Sequence, residues 1–168
     1  MEFINNASIH DEATVELRKQ CGKRATTMCY MLEEAQVAGA QGIEHARRAL
    51  YRYGELAGKE TKAAMKNPAD MLEFATLFGQ GLDRNIYEME TVRSDEDHLY
   101  IDFHYCPYVA QWLKIGRAPE EIDMLCDLAM EGDRAIGDCF EDFNFTLGKT
   151  IAQGHPVCQI RFDRLKKS

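Results

Sequence analysis

The sequence predicts an α+β fold in which N-terminal helices precede a hairpin-helices-hairpin unit forming a small antiparallel sheet packed by helices. Apolar residues recur at helical spacing through the first half of the chain. The period then drops to two, where Leu99, Ile101, Phe103 and Tyr105 alternate with Tyr100, Asp102, His104 and Cys106. A second alternating stretch, at Phe143, Phe145 and Leu147, supplies the other hairpin. With 168 residues, 45% hydrophobic and 29% charged, composition is that of an ordinary globular protein. One domain over 1–168 is expected, with a helical part at 1–84 and an α+β part at 85–168.

Taken in order, Ser8 and Asp11 read as a capping-box-like start, and Ala13, Leu17, Cys21, Met28, Leu32 and Ala35 place a helix at about 9–37. Gly39 and Gly42 break it. Ile43, Ala46, Leu50, Tyr53 and Ala57 mark a second helix that loses its pattern near Gly58. Asn67 caps a third with Pro68 at its first position, and Met71, Ala75, Phe78 and Leu82 form its stripe. The turn residues Ser94 to Asp97 pair 86–93 with 98–105. Pro107 ends that strand and opens a helix over 108–115 that carries the only tryptophan, Trp112. Pro119, Glu120 and Glu121 begin another, which runs to a C-cap at Gly132 followed by Asp133 in a turn. Strands are expected again at about 142–151 and 157–163, around the turn Gln153 to Pro156.

The net charge of −8, from 28 acidic and 20 basic residues, repels phosphate backbones and anionic membrane surfaces, so neither nucleic acid nor membrane is an expected partner. The basic residues Arg161, Arg164, Lys166 and Lys167 read as a solvated terminus. There is no signal-like start and no run of about 18 apolar residues, so a cytoplasmic protein is expected. Its six cysteines are accordingly read as thiols. The N-terminal helices either pack on the sheet or supply a homodimer surface.

Candidate chemistry gathers in the C-terminal half. Alternation puts Asp102, His104 and Cys106 on one strand face about 7 Å apart, beside Tyr100. An imidazole near a thiol lowers its pKa, and a carboxylate beyond it would orient the ring. The competing reading is the wet face of an edge hairpin. Cys126 and Cys158 read as buried, which is common for core thiols. No Cys-x-x-Cys, His-Glu-x-x-His or zinc-finger spacing is present, so Cys106, Cys126, Cys158 and His155 converge only if the fold brings them together.

The stretches HYCPYVAQWLKIG, IDMLCDLAMEGDRA and FNFTLGKTIAQGHPVCQI follow one another in that order. They resemble the L-2-amino-thiazoline-4-carboxylic acid hydrolase family through Cys106-Pro107 with Trp112 and Gly116, Leu125-Cys126-Asp127, Gly132-Asp133, and Gly154 with Cys158. This covers about 104–162; at His155 and Ile160 the chain departs from the acidic and aromatic residues frequent in the family. The resemblance implies a hydrolase that opens a small cyclic amidine to a carbamoyl-cysteine. It implies Cys106, His104 and Asp133 as catalytic residues, with Tyr100, Trp112, Cys126, His155 and Cys158 around a small-molecule substrate. In this scheme Cys106 attacks, His104 takes the proton and Asp133 holds the amidinium. The rival route is water activated by a divalent metal, Mn or Zn, on thiolate ligands. A different class is a non-catalytic small-molecule-binding domain, since the element order also loosely resembles the ligand-sensing domains related to vinyl reductases.

Overall fold

A computed structural model describes residues 2–166. Helix α1, Glu12–Val37, begins at Asp11, whose carboxylate accepts the Thr14 N–H at 3.0 Å. Ser8 takes no part in this cap, because its N–H and hydroxyl both go to Glu88. Only Ala38 separates α1 from α2, Gly39–Ala64, and Gly39 makes the reversal at a φ of 69° that suits a residue without Cβ.

Helix α2 runs on past Gly58, and its glycines serve close approach. A Cβ on Gly54 would stand 2.0 Å from the Gly132 carbonyl oxygen, and one on Gly58 would stand 2.7 Å from Cys139 Sγ. The partner is α7, Glu131–Asp138, which replaces the expected C-cap and turn. Gly132 lies inside this helix because it offers α2 a bare backbone surface. Before it come α3 (Met71–Leu77), α4 (Leu82–Tyr87), α5 (Pro107–Lys114) and α6 (Pro119–Ala129). Asp70, and not Asn67, caps α3, by accepting from Leu72 and Glu73. Leu82 opens α4 and is no part of the α3 stripe.

The strands β1 (Met89–Ser94), β2 (His98–Phe103), β3 (Phe143–Leu147) and β4 (Cys158–Arg164) form one antiparallel sheet in the order β1-β2-β4-β3. Each hairpin thus contributes an inner strand, β2 and β4, paired from His98↔Asp163 to Phe103↔Cys158. Between β3 and β4 the chain makes a 3-10 turn at Ile151–Gln153, so β3 stops earlier than alternation suggests. Fully buried Leu99, Ile101, Ile160 and Phe162 face Met71 and Phe74, with Phe140 and Phe143 packed alongside. Each such ring or aliphatic side chain contributes roughly 1.5–3 kcal/mol by leaving water.

The opposite sheet face is polar. The Tyr100 hydroxyl donates to Asp163 at 2.6 Å, and Arg161 pairs with Asp102 at 2.5 Å. Arg164 donates to the Glu96 carbonyl. Arg161 and Arg164 are therefore strand residues with partners, which corrects the reading of a solvated basic terminus for these two; Lys166 is exposed beyond the strand, and Lys167 lies outside the described residues.

A second core joins Ala25, Met28 and Leu32 of α1 to Val109 and Trp112 of α5 and to Ile122, Leu125 and Leu128 of α6. Cys126 and Cys158 are buried in it, with Cys106 at its margin. All six cysteines are free thiols. Among the described residues, no helix is long and apolar enough to cross a membrane.

Candidate active site

Strand β2 ends at Phe103, so the chain has already turned before Cys106 and the expected common face does not form. His104 is exposed and its Nε2 lies 2.9 Å from Glu90. Tyr100 is committed to Asp163 on the polar sheet face, while Asp102 is committed to Arg161. This corrects the grouping of Asp102, His104 and Tyr100 with the thiol. Pro107, which has no N–H to give the sheet and fits the first position of a helix, turns the chain inward here.

Cys106 becomes the N-cap of α5, with extended backbone angles φ −127° and ψ 109°. Burial pushes its thiol up to about 11. The Tyr108 and Val109 N–H groups at the open helix end pull the other way, although neither makes a capping hydrogen bond to it. Cys158, the first residue of β4, is driven up to about 12 by burial and by Cys106, against the Ile151 N–H that donates to its Sγ at 3.2 Å. Cys126 on α6 is raised well above an ordinary thiol by burial and by both of these cysteines.

Asp133 comes from the first turn of α7. It has no ion-pair partner among the described residues, since the neighbouring Arg134 is taken up by Asp127 and Glu131. Burial lifts its carboxyl to about 6, while Arg134 and Arg24 hold it back. Such a group changes charge near neutrality. Tyr87, at the end of α4, interacts electrostatically with both Cys106 and Asp133, as does Cys158. Burial keeps Tyr87 and Tyr108 well above the usual phenol range, so both remain protonated donors.

Cys106, Asp133, Tyr87 and Tyr108 are all hemmed in strongly enough to shift their titration, yet each keeps accessible surface. Cys126 and Cys158 are buried beside Cys106 in the second core. Arg24 of α1 is exposed, and its guanidinium lies 4.6 Å from the centroid of the Tyr53 ring on α2. The Tyr53 ring in turn rests about 4.0 Å from the Cβ position of Gly132, beside Asp133. Arg24 makes no ion pair among the described residues.

Trp112 is not among these partly exposed side chains. It is 1% exposed, donates from Nε1 to the Ala25 carbonyl at 3.0 Å, and supports Tyr108 edge-on at 5.7 Å. His155 is half-buried, and its N–H donates to the Thr150 carbonyl. Among the described residues no three His, Cys, Asp or Glu side chains are placed to hold a metal ion together. The three thiols therefore do not fit a shared ligand sphere.

Sequence reasoning missed Arg24, Tyr53, Tyr87 and Tyr108. Ala25 continues the apolar stripe between Cys21 and Met28, so Arg24 beside it reads as an ordinary exposed helix residue and the sequence carries no signal for it.

A family model described as L-2-amino-thiazoline-4-carboxylic acid hydrolase matches residues 18–162. The chain belongs to this family. The match extends through both long N-terminal helices, well beyond the C-terminal motifs. No curated protein matches the chain.

Proposed function

We propose that this protein hydrolyses a small cyclic amidine of the 2-amino-thiazoline-4-carboxylate type at Cys106 and Asp133. The observation that carries the reading is that the lone Asp133 carboxyl, lifted by burial to about 6, and Cys106 at the N-terminus of α5 both act electrostatically on Tyr87 and on Cys158. A carboxylate that titrates near neutrality without an ion-pair partner accepts and returns a proton within one reaction cycle. His104 is left out, because its imidazole is engaged by Glu90 on the exposed side.

Cys106 gives its proton to the Asp133 carboxylate, directly or through one water, as Sγ bonds to the ring carbon between nitrogen and sulfur. The C=N electron pair moves onto nitrogen. As it returns, the bond from that carbon to the ring sulfur breaks, and the departing sulfur takes the proton from Asp133. Water then adds to the Cys106-bound carbon, one of its protons passing to the C=N nitrogen; as the carbon–Sγ bond breaks and the urea carbonyl of a carbamoyl-cysteine forms, Asp133 relays the other proton to the departing Cys106 Sγ and the thiol is restored. Arg24 pairs with the substrate's carboxylate, and the Tyr87 and Tyr108 hydroxyls donate to its polar atoms.

One observation favours a second reading, a binding domain without turnover: the Cys106 thiol is pushed up to about 11 and stays protonated at rest. The two separate cleanly. Protein freed of metal by chelation is incubated with 2-amino-thiazoline-4-carboxylate, and carbamoyl-cysteine is followed by mass for wild type, Cys106→Ala and Asp133→Asn. Turnover abolished in both variants supports the hydrolase. Full turnover in Cys106→Ala sinks the covalent route, and saturable binding without turnover in wild type establishes the binding domain.

A further inference from the structure

The segment before α1 lies outside the family-matched residues 18–162. Half-buried Phe3, Asn5, Ala7 and Ile9 alternate with exposed Glu2, Ile4, Asn6 and Ser8, so it runs extended with one face against the molecule. It is held at two points. Near its end, Glu88 accepts the Ser8 N–H at 2.6 Å, the Ser8 hydroxyl at 2.7 Å and the Ile9 N–H at 2.9 Å. Arg18 closes the same knot: it pairs with Glu88 at 2.9 Å and donates to the Ile9, Asn85 and Ile86 carbonyls.

The other point is Cys106 itself. The Asn5 carboxamide accepts the Cys106 N–H at 2.8 Å through Oδ1 and donates from Nδ2 to the Cys106 carbonyl at 2.9 Å. A neighbouring strand would supply the same pair of bonds, but β2 has ended by then and Pro107 brings no N–H. Among the described residues, the Cys106 carbonyl otherwise receives only the Ala110 N–H of its own helix. The Tyr105 N–H on the Tyr87 carbonyl fixes the preceding peptide, so without Asn5 it is the Cys106 N–H that loses its partner and the Cys106 Cα–Cβ direction that is less tightly set.

We propose that Asn5 is the positioning residue for the attacking thiol: its carboxamide clamps both backbone polar groups of Cys106 and thereby sets the direction of Sγ. The inference rests on the reading of Cys106 as the attacking group. It assigns to the N-terminal strap, beyond the segment shared with the family, a part in setting the geometry of the reaction. Asn5 touches no reacting atom and acts through Cys106 alone. A displacement of about 1 Å in an attacking atom costs on the order of a hundredfold in rate, and a partly loosened clamp costs less.

The test uses the full chain in four forms, wild type, Asn5→Ala, Asn5→Asp and Ser8→Ala, with two readouts: turnover of 2-amino-thiazoline-4-carboxylate, and the pH profile of iodoacetamide alkylation at Cys106, located by peptide mass. Asn5→Ala is expected to lower kcat on the order of tenfold with KM within about twofold. It is also expected to speed alkylation and move its profile toward that of an ordinary thiol. Asn5→Asp keeps the bond from the Cys106 N–H but cannot donate to its carbonyl, so it should fall between Asn5→Ala and wild type in both readouts. Ser8→Ala weakens the other anchor and should match wild type in the alkylation profile, whatever its Tm. A lower Tm in Asn5→Ala with kcat and the alkylation profile unchanged overturns the proposal. If wild type shows no turnover, the functional reading fails, and the alkylation profiles of the four proteins still decide whether Asn5 sets the thiol.

Discussion

Two regions of this molecule bury comparable side chains for opposite ends. Under the sheet, Phe74 meets Phe78, Phe140, Phe143 and Phe162 at centroid distances of 4.9–5.5 Å, mostly tilted or edge-on, and no charged group is buried among them. Elsewhere, around Cys106, burial pushes the Asp133 carboxyl, thiols and phenols away from their ordinary titration ranges. The first arrangement satisfies every group it encloses and stabilises the fold. The second encloses groups that would be better solvated in water, and the chain tolerates that cost where chemistry needs it.

The comparison breaks most readily at the aromatic cluster. Phe74→Ala should destabilise the protein by about 3–5 kcal/mol through lost transfer energy and an unfilled cavity. Urea unfolding would measure it, and a loss under about 1 kcal/mol would show that the cluster is not the stability centre. Gly54→Ala attacks the support of Asp133 instead. Its Cβ would collide with the Gly132 carbonyl, which is backbone and cannot rotate away. A cost of about 1–3 kcal/mol is expected, with turnover lost because α7 carries Asp133. Unchanged turnover would separate the α2–α7 contact from the site.

Asp133→Asn should act in the other direction on stability. The native carboxyl binds its proton more tightly than the unfolded one, about 6 against 3.8. The native state therefore holds more protons between these values, and the Asp133 contribution to stability falls as pH rises through that window. At pH 7 the charged group costs on the order of 1–2 kcal/mol once its partial exposure is allowed for. Asp133→Asn should recover that amount at pH 7 and progressively less below pH 6, while abolishing turnover. Equal stability of the two proteins from pH 4 to 7 would remove Asp133 from the proton-carrier role. The smallest effect on stability belongs to Cys106→Ser, within about 0.5 kcal/mol, since the residue is half-buried and a serine hydroxyl suits an N-cap position that Cys106 leaves without a side-chain cap bond. Differential scanning calorimetry would check this alongside the lost turnover, and a large drop in Tm would make Cys106 a structural residue.

Much of the fold was legible because it depends on neighbours along the chain. The switch from helical to two-residue period located β2 to within two residues, and Pro107 and Pro119 each stand at the first position of a helix. Helix α7 escaped, since a glycine followed by an aspartate has the local chemistry of a helix end; only contact with Gly54 explains a glycine inside it. The Ser8 cap failed for a similar reason, as Glu88, remote in sequence, claims that serine.

By itself, the sequence determined most element types, apart from the short helices α4 and α7, together with the antiparallel hairpins and a set of cysteines and Asp133 in the C-terminal half, because periodicity, proline and turn chemistry act over a few residues. Which of those side chains share a space was decided only by the tertiary structure. It engaged His104 with Glu90 and Tyr100 with Asp163, and brought Tyr87 of the helical half within electrostatic reach of both Cys106 and Asp133, with Arg24 over the Tyr53 ring. The physical reason is that these contacts join helix ends from segments far apart in the chain, whose pairing leaves no periodic trace.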